Sequence, residues 1–175
     1  MQQLRLSGTG GQGLILAGII LAEAALLDGK NAIQSQSYGP EARGGSSKSE
    51  VIISHNVLHY PKITVPNVVL AMSQEACKKY TADLTEDGIL ITDSQFVGKI
   101  PEKKLQKIYE LPITYTAQAG LGKTLFANIV ALGAIAKITG VVSVKSLTKA
   151  VLNRVPKGTE ELNEQAIKLG MELIS

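Results

Sequence analysis

Residues Leu6–Gly18 read LSGTGGQGLILAG, and the spacing of Gly8, Gly10 and Gly13 spells GxGxxG. A short apolar segment, QQLRLS, precedes this turn, and an apolar helical pattern reaching Leu27 follows it. Strand, glycine turn and helix in that order form the first unit of an open α/β sheet. Residues 2–7 are therefore predicted as a first strand and 12–27 as a helix, closed by Asp28-Gly29. In a dinucleotide-binding turn, the first glycine allows a tight bend and the second lets backbone approach a pyrophosphate. The third lets helix pack on strand, and the helix N-terminus faces the anion. The same fingerprint requires an acid about 20 residues on, at the end of the second strand, to hold the ribose hydroxyls. That strand reads NAIQSQSYG, and no acid stands between Asp28 and Glu41. Half of the fingerprint is missing, so nicotinamide or flavin binding is not expected.

Outward from the turn, Asn31 to Ser37 reads as a second strand. Tyr38 to Gly45, YGPEARGG, reads as a loop with three glycines and a proline. Residues 49–54 are predicted as a strand, His55-Asn56 as a turn and 57–60 as a short return strand, giving a small hairpin. Residues 65–72 are almost wholly apolar, the pattern of a strand buried on both faces of a parallel sheet. A helix from Gln74 to about Leu84, strands over 88–92 and 107–111, and helices over 123–138, 143–154 and 159–174 complete the pattern. Strands alternating with helices predict one α/β domain over residues 1–175, an open, mainly parallel sheet flanked by helices, with a small β-hairpin.

Composition narrows the class. The chain has 175 residues, 45% of them apolar and 19% charged, which suits one ordered globular domain. Its net charge of +3 is mild, and no run of Lys or Arg reads as a nucleic-acid arm. The longest apolar stretch, Leu14 to Leu27, is interrupted by Gly18 and Glu23 and falls short of a membrane span. No signal peptide is visible, and a reducing cytoplasm is the expected setting. A single cysteine, Cys77, leaves no internal disulfide and no iron–sulfur cluster ligated by this chain alone.

Other motifs carry little chemistry. Ala117–Thr124, AQAGLGKT, approaches a phosphate-binding P-loop, but Ala117 replaces its first glycine and ITYTAQAG before it reads as a short helix. Lys123 and Thr124 are expected simply to open the long helix. His55 and His59 lack a cysteine or acid at ligand spacing and are expected to be solvated. Cys77 is expected on a Lys-rich helix face, inert. Two helices, 14–27 and 125–138, are apolar on nearly every face, where a surface helix normally shows a polar stripe. Cover by other subunits is the expected reason, with tight packing on the chain's own sheet as the alternative.

Three stretches taken together are more specific: GTGGQG after the first strand, SYGPEARGG after the second, and ANIVALGAIAKITG later. They closely resemble the gamma subunit of 2-oxoacid:ferredoxin oxidoreductases, a module that is a fused domain in single-chain pyruvate:ferredoxin oxidoreductases. The resemblance runs over essentially the whole chain, including Tyr60-Pro61 and Asn163. Within that family the YGPExRGG loop is most similar to the 2-oxoglutarate branch. A pyruvate or branched-chain 2-oxoacid enzyme is the alternative inside the family, and a stand-alone nucleotide-binding module the alternative outside it. One local departure, GLGKT, stands where relatives usually carry a GN-type turn, so no role passes to Lys123.

The resemblance implies an accessory subunit, inactive alone and without catalytic residues or a bound metal. Thiamine diphosphate, magnesium and [4Fe–4S] clusters would sit on partner subunits of alpha, beta and delta type. The complex would decarboxylate a 2-oxoacid oxidatively, pass electrons to ferredoxin and deliver the acyl group to coenzyme A. Ligand- or interface-binding residues on this chain are then expected at Gly8, Gly10, Gly11, Gln12 and Gly13 of the turn, at Tyr38, Arg43, Gly44 and Gly45 of the loop, and at Asn128. Gln12 and the free turn amides would meet a coenzyme A phosphate or a partner's backbone. Arg43 would offer bidentate contacts to a carboxylate or phosphate, or else pair with Glu41. Tyr38 would stack on a ligand or pack the loop. Turn and loop are expected side by side at the C-terminal edge of the strands.

Overall fold

Strand β1 (Gln2–Thr9) alternates between two environments, as a pleated strand in a covered sheet must. Leu4 and Leu6 enter the main apolar cluster, while Arg5, on the opposite face, reaches Tyr80 and Asp83. The computed structural model describes residues 1–38, 45–103, 105 and 107–175. After β1 come α1 (Leu14–Leu27), β2 (Asn31–Tyr38), β3 (Ser46–Ser54), β4 (Val68–Ala71) and α2 (Gln74–Tyr80). Then follow β5 (Ile89–Asp93), β6 (Lys107–Leu111), α3 (Ile113–Leu121), a 3-10 turn (Thr124–Phe126), α4 (Ala127–Thr139), α5 (Val144–Leu152) and α6 (Glu160–Glu172).

The six strands form one sheet in the order β2-β3-β1-β4-β5-β6. The pairs β1–β4, β4–β5 and β5–β6 are parallel, and β2–β3 and β3–β1 are antiparallel. The sheet is thus mainly parallel, as expected. Helix α1 and helices α3–α6 supply one apolar cluster with Leu4, Leu6, Val51, Val68, Leu70 and Ile91 of the sheet. The other face is covered by α2 and the segment after it, where Cys77 packs with Ala71 and Val97.

The antiparallel part differs from the sequence expectation. The return strand predicted at Val57–Tyr60 does not form, and residues 55–66 run without regular structure. The hairpin is β2–β3 instead, and β3 starts at Ser46 rather than Ser49. Ser46 and Ser47 have little intrinsic preference for a strand. Two neighbours decide the matter, because Thr9 pairs with Ser46 and Tyr38 with Ser47, giving backbone groups partners on both sides.

The two apolar helices also separate. Every residue of α4 from Ala127 to Ala136 is buried, within a chain whose own helices surround it. Small residues make this possible: a Cβ on Gly170 of α6 would lie 1.9 Å from the Val130 carbonyl oxygen, and one on Gly133 would lie 2.3 Å from that of Ile167. Self-packing, rather than cover by a partner, explains this helix. Of the two, α1 keeps large apolar side chains, Leu16, Leu26 and Leu27, at the surface. Cys77 is not on an open Lys-rich face: it lies on the buried face of α2, fully covered, and burial pushes its thiol up.

The C-terminal end of α1 is fastened by Asp28. Its carboxylate accepts from the Ser143 amide and from the hydroxyls of Ser143 and Ser146, each at 2.6 Å. Burial pushes this carboxyl up, but those hydroxyls, the Ser143 amide and the charge of Lys30 outweigh it and hold it below the usual aspartate range. A carboxyl held low contributes stability above its unfolded pKa, lost as pH falls through the lower folded value. Asp28→Asn should therefore flatten the acid limb of the stability–pH curve below about pH 4; an unchanged limb in urea titrations would contradict it. Separately, Gly170→Ala should cost about 1–3 kcal/mol by overpacking, read as a lowered Tm, and a Tm within error of the parent would show that α4 and α6 have slack.

Candidate functional site

Open α/β sheets bind ligands at the C-terminal ends of strands, where successive connections leave on opposite sides. Here β1 is followed by α1 on one face and β4 by α2 on the other, so that point lies between the ends of β1 and β4. A cavity of about 410 Å³ opens there. It is lined by Thr9, Gly11 and Gln12 of the turn, Met72 after β4, Phe96 after β5, and Thr114, Thr124, Leu125 and Ala127 from the α3–α4 region.

The turn is held by two side-chain amides. Gln12 Oε1 accepts from the Thr9 amide at 2.7 Å, and Gln12 Nε2 donates to the Met72 carbonyl at 3.0 Å. Asn128 Nδ2 donates to the Gly13 carbonyl at 3.2 Å, and its Oδ1 accepts from the Ile129 amide. These contacts dictate the glycines. A Cβ on Gly8 would sit 2.1 Å from Gln12 Oε1, and one on Gly13 would sit 2.6 Å from Asn128 Nδ2. Gly11 and Gly13 also have φ of +88° and +73°, a region that side chains disfavour. Gly10 has open space around it.

Helix α1 starts at this turn with no side-chain cap and no acid in its first turn. Its first amides have no intrahelical acceptor and carry the positive end of the helix dipole. Such an end attracts anions.

The expected site residues divide accordingly. Gly11 and Gln12 line the cavity, Gly8, Gly10 and Gly13 belong to the same turn, and Asn128 supports it through the Gly13 carbonyl. Gly45 joins them, since its carbonyl accepts from the Gly10 amide at 3.2 Å. Arg43, Gly44 and the side chain of Tyr38 lie outside the described residues. Sequence reasoning missed Met72, Phe96, Thr114 and Leu125. Met72 carried a usable signal, because it is the last residue of the apolar segment 65–72 predicted as a strand of the parallel sheet. Thr114, which donates from both its amide and its hydroxyl to the buried Asp93 carboxylate, is brought in only by the tertiary fold.

The other sequence candidates are elsewhere. Gly122 ends α3 in the left-handed conformation and Lys123 leads into the 3-10 turn, so GLGKT is a helix stop followed by a helix start rather than a phosphate loop. His55 and His59 are exposed in the irregular segment after β3. Among the described residues, no group of three or more His, Cys, Asp or Glu side chains clusters to hold a metal ion. None of the helices described is long and apolar enough to cross a membrane.

If Gln12 fastens β1 to β4, Gln12→Ala should cost about 0.5–1.5 kcal/mol for each hydrogen bond lost. The Thr9 amide should then exchange with solvent faster than in the parent. Undiminished protection of that amide would show that the bridge is idle.

Comparison with known proteins places this geometry. Residues 3–173 match the family described as pyruvate ferredoxin/flavodoxin oxidoreductase. A 2-oxoglutarate synthase subunit KorC from Methanocaldococcus jannaschii is 47% identical over 175 residues, covering 98% of this chain and 93% of that one. The crystal structure of a keto/oxoacid ferredoxin oxidoreductase gamma subunit from Geobacter sulfurreducens superposes with a TM-score of 0.87 at 52% identity, covering 99% of this chain and 98% of that one. A 2-oxoglutarate:ferredoxin oxidoreductase from Magnetococcus marinus, solved with 2-oxoglutarate, coenzyme A and succinyl-CoA bound, shares the fold with a TM-score of 0.86 at 21% identity. This chain is covered over 98% of its length there and corresponds to 30% of that longer chain. With a family match across nearly its full length, the chain belongs to the pyruvate ferredoxin/flavodoxin oxidoreductase family.

Proposed function

We propose that this chain is the gamma-type accessory subunit of a cytoplasmic 2-oxoglutarate:ferredoxin oxidoreductase. The observation that carries the reading is end-to-end similarity to a 2-oxoglutarate synthase subunit, at 47% identity. The loop YGPEARGG supports the same branch. In the complex, partner subunits of alpha, beta and delta type hold thiamine diphosphate with magnesium and the [4Fe–4S] clusters, which supply the decarboxylation and electron-transfer chemistry. The donor set of this chain does not suit such clusters, since its one cysteine is buried between α2 and the sheet.

What this chain contributes is an edge. The uncapped start of α1 and the open space at Gly10 make the turn receptive to an anionic group of coenzyme A. Phe96 and Leu125 stay 47% and 75% exposed at the cavity mouth, and Tyr115 on α3 is 64% exposed. Large apolar side chains left open beside a cavity suit cover by a partner subunit. Arg43 then adds a bidentate cation for coenzyme A or the substrate carboxylate.

The deciding experiment reconstitutes the complex with and without this chain and assays ferredoxin reduction with 2-oxoglutarate, pyruvate and branched-chain 2-oxoacids. Coenzyme A-dependent turnover of 2-oxoglutarate that requires the chain is expected. Preference for another 2-oxoacid would move the chain to a different branch of the family. Within that complex, loss of one charge-assisted contact costs about 1.5–3 kcal/mol. Arg43→Ala should therefore weaken coenzyme A or 2-oxoacid use roughly ten- to a hundred-fold, with assembly intact. Unchanged parameters for both substrates would leave Arg43 structural.

A further inference from the structure

A second constellation stands at the same sheet edge, on the face covered by α2. Lys48 Nζ of β3 lies 5.7 Å from the centroid of the Tyr80 ring, and Lys79 Nζ of α2 lies 5.3 Å from it. Lys79 also donates to Ser46 Oγ at 3.2 Å, and the hydroxyls of Ser46 and Tyr80 are 3.4 Å apart. Ser46 is fully buried, so its hydroxyl is held in this arrangement.

Among the described residues, negative charge is short here. Glu50 accepts from Lys48 at 3.0 Å and from Arg5 at 2.8 Å, through the same oxygen. The other nitrogens of Arg5 are taken up by Asp83 and the Tyr80 carbonyl. Three cations, Arg5, Lys48 and Lys79, therefore share two carboxylates, Glu50 and Asp83. Lys79 meets a hydroxyl and a ring, and among the described residues it forms no ion pair. Two ammonium groups drawn to one ring repel each other, and the ring offsets that only in part. The excess positive charge sits on the two groups with access to solvent, Lys79, which is exposed, and Lys48, whose side chain is 25% exposed.

We propose that Lys48, Lys79 and the hydroxyl of Tyr80, with the buried Ser46 holding Lys79 in place, form a binding subsite for a phosphate-class anion. A phosphate group carries strong acceptor oxygens and close to two negative charges near neutral pH. The ammonium groups donate charge-assisted hydrogen bonds to it, and the Tyr80 hydroxyl turns to donate as well. A single dianion reverses the local charge imbalance, which water cannot do. The subsite is one strand pairing away from the glycine turn, since Thr9 pairs with Ser46, but it opens on the opposite face from α1. It is independent of the oxidoreductase reading, because it concerns this chain alone.

The test is calorimetric titration of the full chain with inorganic phosphate, at ionic strength held constant with chloride. Saturable binding at one site is expected. Lys79→Met should weaken it by about tenfold or more, as loss of a charge-assisted bond does. Tyr80→Phe, which removes only the hydroxyl and keeps the ring, should weaken it less, with Tm unchanged. Adenosine monophosphate, titrated in parallel, separates the sources: tighter binding than phosphate identifies a phosphomonoester as the natural ligand, and equal binding identifies the free ion. Absence of saturable binding would overturn the proposal. So would undiminished binding in Lys79→Met, which would put the anion at the start of α1 instead.

Discussion

Gln12 spans the gap between the ends of β1 and β4, accepting from Thr9 and donating to Met72. With Asn128 bonded to the Gly13 carbonyl, it fixes the turn to both the sheet and the buried helix α4. Much of the GxGxxG spacing follows from these two amides. Gly8 leaves room for the Gln12 side chain, and Gly13 leaves room for Asn128 while adopting a left-handed φ. Only Gly10 faces open space. Two of the three glycines are thus explained by the chain's own packing, and no bound dinucleotide is needed to account for them.

Topology gives the same answer independently. In a dinucleotide-binding sheet the second strand neighbours the first, so an acid at its end reaches the ribose. Here antiparallel β3 is inserted between β2 and β1. The end of β2 is therefore two strand spacings from β1, about 10 Å. The missing acid after NAIQSQSY and the inserted strand belong to one design. The edge that results is shared by the turn, by Gly45 and by the start of β3, with the cavity on one side and the Lys48–Lys79–Tyr80 cluster on the other.

Local pattern carried the reading of the sequence where it was strong. The strand–turn–helix over 2–27, the apolar strand around Val68–Ala71, strand Lys107–Leu111 and the helical C-terminal third all follow from periodicity and stop signals. Partners decided the rest. Ser46 and Ser47 become strand only because β1 and β2 flank them, and a single sequence holds no trace of that pairing. Apolarity of α4 could not distinguish burial by a partner from burial by the chain itself. The distinction lies in Gly133 and Gly170, far apart in sequence, which allow two helix backbones to approach. The glycine turn was legible in its motif, whereas Phe96, Thr114 and Leu125 are brought beside it only by the tertiary fold.

The edge at the end of β1 is the proposed working surface of the subunit, and the irregular segment 55–66 at the other end of the sheet is its natural control. Hydrogen–deuterium exchange on the assembled complex, with and without coenzyme A, tests this most directly. Coenzyme A should add protection to the amides from Gly10 to Leu16 and at Gly45–Ser47, leaving 55–66 unchanged. Protection confined to 55–66, or none on this chain, would contradict the assignment of the glycine turn to ligand binding.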